Sequence, residues 1–337
     1  MQNTKFNERW LLLTLAGIQF THILDFVIVM PLGPQFIRFF DIDSTRFGLI
    51  VSSYTFSAGL FGVIGSFFID KFDRKSVLNT CYFGFTVGTL LCAFAENYYL
   101  LILARIVAGA FGGIINAMIL AIIGDLIPYE RRGKAAGIIM SAFSVATVMG
   151  VPLGLFLAGK FSWRAPFISI VILSLLILVI SHYTMPSVRK HLEKKNTDNF
   201  LKKFWSILKE ENHIRSYKLI ATMMFAGFSV IPFISPYLIS NVKISESDLS
   251  LVYFLGGAAT LFTARLIGIL ADKYGKKQVF SVVALISLIP IITITNLPTL
   301  PLHFVLIVTT MFFIFVSSTV ITAMALITVS VEPEKRV

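Results

Sequence analysis

Charge is scarce in this sequence. Only 14% of its 337 residues are Asp, Glu, Lys or Arg, against about 25% in an ordinary soluble domain. The charges that exist sit in short runs, separated by stretches of roughly 20 apolar residues, each long enough to cross a bilayer core of ~30 Å. Cysteine is almost absent. Cys81 and Cys92 are the only two, and both fall in one apolar stretch, where they read as packing residues rather than a disulfide or metal framework. Alternating ten-residue apolar patterns are missing, which leaves helices rather than a barrel to satisfy the backbone in lipid. The first apolar run, Trp10 to Leu32, has no small-residue cleavage site and reads as a retained span. No His-Glu-x-x-His spacing and no Gly-x-Ser-x-Gly elbow occurs, which speaks against a membrane enzyme. The net charge of +11 does not point to nucleic acid, because the basic residues lie in the loops, where membrane proteins concentrate them.

What is present is a series of ten apolar segments, at about 10–32, 47–69, 76–95, 98–123, 134–159, 165–184, 218–240, 249–271, 278–296 and 302–328. We number them spans 1 to 10. The fold class is therefore an all-α polytopic membrane protein. Its expected divisions are a six-helix bundle over 1–184, a polar basic linker over 185–217, and a second bundle of four spans over 218–337. With the N-terminus inside, inside segments carry 22 Lys and Arg and outside loops carry five: Arg38, Arg46, Lys160, Arg164 and Lys243. That bias sets a cytoplasmic N-terminus. Within the linker, Phe200, Leu201, Phe204, Trp205, Ile207 and Leu208 share one helical face and Lys202, Lys203 and Lys209 the other. This pattern predicts a helix lying at the membrane surface. A solvated linker is the plainer alternative.

The chain repeats itself. Asp70-Lys71-Phe72-Asp73-Arg74-Lys75 after span 2 answers Asp272-Lys273-Tyr274-Gly275-Lys276-Lys277 after span 8, 202 positions later. Pro31 and Pro34 answer Pro232 and Pro236, and Pro128-Tyr129-Glu130-Arg131-Arg132 answers Glu332-Pro333-Glu334-Lys335-Arg336. Parallel repeats of six spans are an architecture of secondary transporters. Since the first copy has two spans after its Pro-Tyr-Glu-Arg-Arg loop, the second copy is expected to be incomplete by two.

These residues resemble the major facilitator superfamily, and within it the drug:proton antiporter branch that includes predicted arabinose-efflux permeases. The resemblance covers the whole chain. Gly268-Ile269-Leu270-Ala271-Asp272-Lys273-Tyr274-Gly275-Lys276-Lys277 is similar to that family's Gly-x-Leu-Ala-Asp-Arg-x-Gly-Arg-Lys loop. The first copy keeps Asp70, Arg74 and Lys75, but has Ser66 for the first glycine, beside Gly65, and Asp73 for the second. Arg105 with Gly109 resembles an Arg-x-x-x-Gly motif, with Ala108 where Gln is common. Gly150-Val151-Pro152-Leu153-Gly154 resembles in part the antiporter motif of the fifth span, and Trp163-Arg164 with Pro166-Phe167 the usual entry to the sixth. The resemblance implies that each loop packs on a helix of the opposite half and latches one transport state. The partner is span 5 for Asp272 and an eleventh span for Asp70.

Asp25 is the one acid well inside a span, and an intramembrane acid is costly and usually functional. At 1.5 Å per residue it lies about 8 Å from the outer edge of span 1, and Arg105 about 10 Å from the same edge in span 4. The two can pair. His22 stands three residues before Asp25 on the same face. Asp25, His22 and Arg105 are the candidate proton-coupling group. Arg265 sits near the inner end of span 8, where it can snorkel. Tyr54, Ser57 and Asn116 are candidate cavity residues, although such residues more often bond across helices. The expected function is proton-coupled efflux of a small drug-like or sugar-like organic molecule by alternating access, in a bacterial inner membrane. The expected protein is a monomer without cofactor or metal. Sugar or metabolite uptake by the same fold, or an inactive truncated product, are the alternatives.

Overall fold

A computed structural model of the protein describes residues 7–189 and 210–330. The expected surface helix of the linker and the Glu332–Arg336 loop lie outside the described residues. Among the described residues every element is helical, and ten helices are long and apolar enough to cross a membrane. Span 1 is Glu8–Ile28, span 2 Ser44–Ser66, span 3 Arg74–Ala93 and span 4 Tyr98–Leu126. Span 5 runs Tyr129–Lys160, span 6 Arg164–Thr184 and span 7 His213–Val242. Spans 8, 9 and 10 are Glu246–Tyr274, Lys276–Thr295 and Leu302–Ile327. Most boundaries fall within a few residues of the sequence reading. Asn7, Asp43 and Asn97 set three starts, their side chains accepting from the backbone N–H of Arg9, Arg46 and Leu100, as N-caps do.

Spans 5 and 7 begin about five residues earlier than expected, and the breaks inside or at the ends of spans lie beside prolines. Span 1 ends at Ile28 rather than at the expected 32, and a short helix, Gly33–Phe40, follows with Pro34 in its first turn. Span 7 breaks after Phe228, passes through a 3-10 turn at Ile231–Phe233 that contains Pro232, and then widens into a π-turn at Leu238–Val242. Span 5 holds a second π-turn, Ala146–Gly150, just before Pro152. Proline lacks the N–H for a carbonyl four residues back and its ring crowds that carbonyl, so a widened turn beside it is the expected relief.

The chain divides into two compact units, Met1–Lys195 and Asn196–Val337. Within the first, span 4 packs on spans 2 and 3; within the second, span 10 packs on spans 8 and 9. The same pairing therefore recurs in each sequence copy. Helix ends repeat as well: Ser44 and Glu246, Arg74 and Lys276, and Ala93 and Thr295 are each 202 positions apart. The buried core is better formed in the first unit. Span 1 is 61% buried along its apolar window, whereas span 8 is 11% buried.

The repeated loop is built in two ways, and the Asp73-for-glycine exchange is the reason. Gly275 caps span 9 at φ 94° and ψ 132°, a backbone region that only glycine adopts without strain. Asp73 caps span 3 at φ −58° and ψ 127°, and its carboxylate accepts from the Lys75 N–H at 2.8 Å. An ordinary φ plus a side-chain cap replaces the positive-φ glycine. The chain reaches it through a 3-10 turn at Ile69–Lys71, where span 8 instead continues unbroken to Tyr274.

Candidate functional site

Span 4 is the spine on which the site is built. Its glycines let neighbours approach to backbone contact. A Cβ at Gly109 would overlap the Tyr54 carbonyl, and one at Gly113 the Ala58 carbonyl, both on span 2. On the other side Gly88 of span 3 receives Ala108, where a Cβ would lie 2.6 Å from the Ala108 nitrogen. Small residues at such spacing allow close helix packing in lipid. This packing presents Tyr54, Arg105 and Gly112 to span 1.

There Arg105 Nη1 donates to Asp25 Oδ2 at 2.7 Å, and both side chains are fully buried. Arg105 Nη1 also lies 3.4 Å from the Asp25 backbone carbonyl. The guanidinium carbon sits 4.2 Å from the Tyr54 ring centroid, a cation–π contact that helps hold a cation away from water. Phe26 stacks on the Tyr54 ring with centroids 5.4 Å apart. His22 packs edge-on to Phe85 of span 3 at 5.7 Å. Neither His22 ring nitrogen nor the Tyr54 hydroxyl has a hydrogen-bond partner within the protein. One turn further toward the N-terminus, Gln19 Nε2 donates to Asn116 Oδ1 at 3.3 Å. Gln19, His22 and Asp25 thus form a polar row on span 1.

The structure brings together Asp25, His22, Arg105 and Tyr54. It places Ser57 and Asn116 differently. Ser57 donates across to the Ile106 carbonyl at 2.7 Å, and Asn116 receives Gln19, so both bond between helices. Gly150 and Gly154 face span 1, where a Cβ would meet Leu24 at 2.8 Å and Ile28 at 2.7 Å; Pro152 lies in the first turn after the π-turn. Gly268 has open space around it, Asp272 is exposed and Lys276 is half-buried. Arg265 is exposed. The Asp70 side chain lies outside the described residues. Arg74 Nε donates to Asp125 at the end of span 4 at 3.1 Å, and Lys75 Nζ to the His182 carbonyl at 2.6 Å. Cys81 and Cys92 are buried free thiols. Among the described residues, no group of three His, Cys, Asp or Glu could hold a metal ion.

Sequence reasoning treated Asp73 only as a departure from a motif. Besides capping span 3, it accepts from Ser187, from Arg189 at 3.0 Å and from the Val188 N–H at 3.4 Å. Arg74 N–H in turn donates to the Val188 carbonyl. Burial pushes the Asp73 pKa up, but these hydrogen bonds outweigh it and hold the carboxyl below its ordinary value. The Asp-Arg-Lys order at a helix start was the available signal.

Residues 15–337 match the Major Facilitator Superfamily. The chain belongs to this family. Its members are transporters rather than enzymes, and this one is a multi-pass membrane protein with that fold. One relative is the uncharacterized MFS-type transporter YceJ of Bacillus subtilis (strain 168), 26% identical over 271 residues, which are 80% of this chain and 68% of YceJ. Another is a probable sugar efflux transporter of Pasteurella multocida (strain Pm70), 26% identical over 72% of this chain and 58% of its own length. Among solved structures, a D-xylose-proton symporter superposes with a TM-score of 0.72 at 18% identity, covering 95% of this chain and 86% of the symporter. The chain thus spans under two thirds of the sugar efflux relative and slightly more of YceJ. For a Major Facilitator Superfamily chain, the asymmetry of the polar site is informative. Ala226 and Ile307 stand at the repeat positions of Asp25 and Arg105. The second copy carries neither the acid nor the base of this pair at those positions.

Proposed function

We propose that the protein is a proton-coupled exporter of a small organic molecule, of the drug:proton antiporter kind, working by alternating access in a bacterial cytoplasmic membrane. One observation carries the reading: a fully buried Asp25–Arg105 pair inside a transporter's membrane span. A buried carboxylate stays charged only while its countercharge is close, and takes up a proton when that countercharge withdraws or water enters. Asp25 is the proton carrier in this reading and Arg105 the group that alternates with the proton. The glycine–proline segment Gly150–Gly154, packed on span 1 near Asp25, supports export. The sugar efflux relative supports a sugar-like substrate. Asp70 with Arg74 and Lys75, and Asp272 with Gly275 and Lys276, act as the conformational loops.

The test is flux in proteoliposomes across a panel of dyes and sugars under an imposed pH gradient. Uphill movement opposite to the proton flow is expected. Movement with the proton flow makes the protein a symporter, and indifference to the gradient removes proton coupling altogether. The cytoplasmic N-terminus is tested separately. A cysteine at Asn196 is expected to resist an impermeant thiol reagent in intact cells, after both native cysteines are replaced. Labelling there reverses the orientation.

A further inference from the structure

The polar row on span 1 does not end at Asp25. His22 Nε2 and the Tyr54 hydroxyl both lie against the bare Cα of Gly112. The position a Cβ would take there is 2.6 Å from Tyr54 Oη and 2.8 Å from His22 Nε2. The two atoms therefore flank the same glycine within one water's span of each other, yet both lack a protein partner. Tyr54 is 3% exposed. Buried hydroxyl and imidazole groups are rarely left unpaired, and ordered water is the usual partner. One water spans two groups that are up to two hydrogen bonds apart at little cost.

We propose that His22, Tyr54 and Gly112 form a solvent-binding site, and that the water held between His22 Nε2 and Tyr54 Oη is the second station of the proton route that begins at Asp25. This deepens the proposed function and rests on it. The chemistry needs no other reactant. A proton arriving on the bridging water is accepted at His22 Nε2, which makes the imidazole a cation, and is returned to the same water on release. The titratable and charged groups around this face are Asp25 on span 1, Tyr54 on span 2, Cys92 on span 3 and Arg105 on span 4. Spans 5 and 6 also pack on span 1, but residues 135–159 and 165–181 contain no charged side chain. Tyr54 joins the two stations physically, since its ring face meets the Arg105 guanidinium while its hydroxyl meets Gly112. Gly112 is a positioning residue: any side chain there would wedge both polar ends away.

Three variants separate this role from packing. Tyr54→Phe keeps the ring against Arg105 and Phe26 and removes only the hydroxyl. Gly112→Ala pushes on both polar ends. Tyr54→Phe/Gly112→Ala relieves the closer of the two contacts but still lacks the bridge. The first readout is direct: magnetisation transfer from water protons to the His22 ring nitrogens in 15N-histidine-labelled protein in bilayers, with His22→Gln assigning the signal. Transfer is expected in the wild type and lost in all three variants. Its absence from the wild type overturns the site whatever the protein transports. The second readout is pH-gradient-driven flux, expected to fall at least about tenfold in all three, the factor that one lost hydrogen bond to a proton carrier corresponds to. A double variant that recovers wild-type coupling shows that Tyr54 and Gly112 only fill space, and overturns the relay. If Asp25→Asn abolishes coupling while Tyr54→Phe leaves it unchanged, this inference fails and the proposed function stands. If the wild type ignores the gradient, the proposed function fails first.

Discussion

Replacing Asp25 by asparagine is expected to abolish transport driven by a pH gradient while leaving the protein inserted in the membrane. Asparagine has the shape of the carboxylate but does not gain or lose a net proton near neutral pH. It also leaves Arg105, which is fully buried, without its countercharge. Removing one member of a buried pair typically costs about 3–5 kcal/mol, because the remaining charge stays buried and unpaired. Two losses are therefore expected from one substitution: gradient-driven flux falls to background, and thermal stability in detergent falls as well. They can be separated. Asp25→Asn/Arg105→Gln leaves no unpaired charge at this site and is for that reason expected to be more stable than either single variant. It remains uncoupled, since no proton carrier is left at the first station. Flux is measured in proteoliposomes and stability by thermal unfolding of the purified protein. Gradient-driven flux in Asp25→Asn equal to that of the wild type would sink the proton role of Asp25. A double variant less stable than both singles would show that the pair is held by its surroundings rather than by its own attraction.

The residues that could be found in the sequence share a property: they violate an expectation. An acid inside an apolar run is out of place, so Asp25 stood out, and depth arithmetic along two helices was enough to pair it with Arg105, because rise per residue is nearly constant. The ten spans were legible for the same reason, since a hydrophobic stretch of bilayer length has few other uses. The repeat was legible because charged loop motifs stand out against lipid-facing sequence. What stayed hidden depends on contact between segments distant in the chain. Nothing in the composition of span 4 says that Gly112 faces His22 and Tyr54, or that Gln19 reaches Asn116. For Ser57 the sequence left two readings, a cavity position or a bond across helices, and only the contact between spans 2 and 4 shows its hydroxyl donating to the Ile106 carbonyl. Proline breaks were visible as prolines, but their cost was not. Whether a chain kinks, widens to a π-turn or ends its helix depends on what neighbouring helices offer the freed carbonyls, so Pro34, Pro152 and Pro232 give three different outcomes. Asp73 was misjudged because a motif comparison scores it as a loss, while backbone dihedral angles show it to be another way to start a helix.

Gly113→Ala is expected to disrupt the first unit, and the same change at Gly124 on the same helix is expected to be tolerated. The added methyl at 113 would overlap the Ala58 carbonyl, and Gly62 sits close by, its own Cβ position 3.5 Å from the Gly113 carbonyl oxygen. Both partners are backbone, so no rotamer change relieves the overlap. Spans 2 and 4 would have to separate along their length. Inserting one methylene into a well-packed core usually costs about 1–3 kcal/mol when side chains can yield, so a clash with backbone belongs at or above the top of that range. Separation would also widen the gap between Tyr54 and Arg105, which face each other through the same interface, so coupling and stability should fail together. Gly124 has nothing within 4 Å of its Cβ position, and its carbonyl, which accepts from Arg132 at 2.5 Å, survives the substitution. Alanine there restricts the unfolded backbone and is expected to be neutral or stabilising by up to about 1 kcal/mol. The measurement is thermal unfolding of the purified variants, with protease resistance in membranes as a check on assembly. Equal stability of Gly113→Ala and Gly124→Ala would mean that spans 2 and 4 are not held at backbone contact, and the close packing that sets Tyr54 over Arg105 would have to be abandoned.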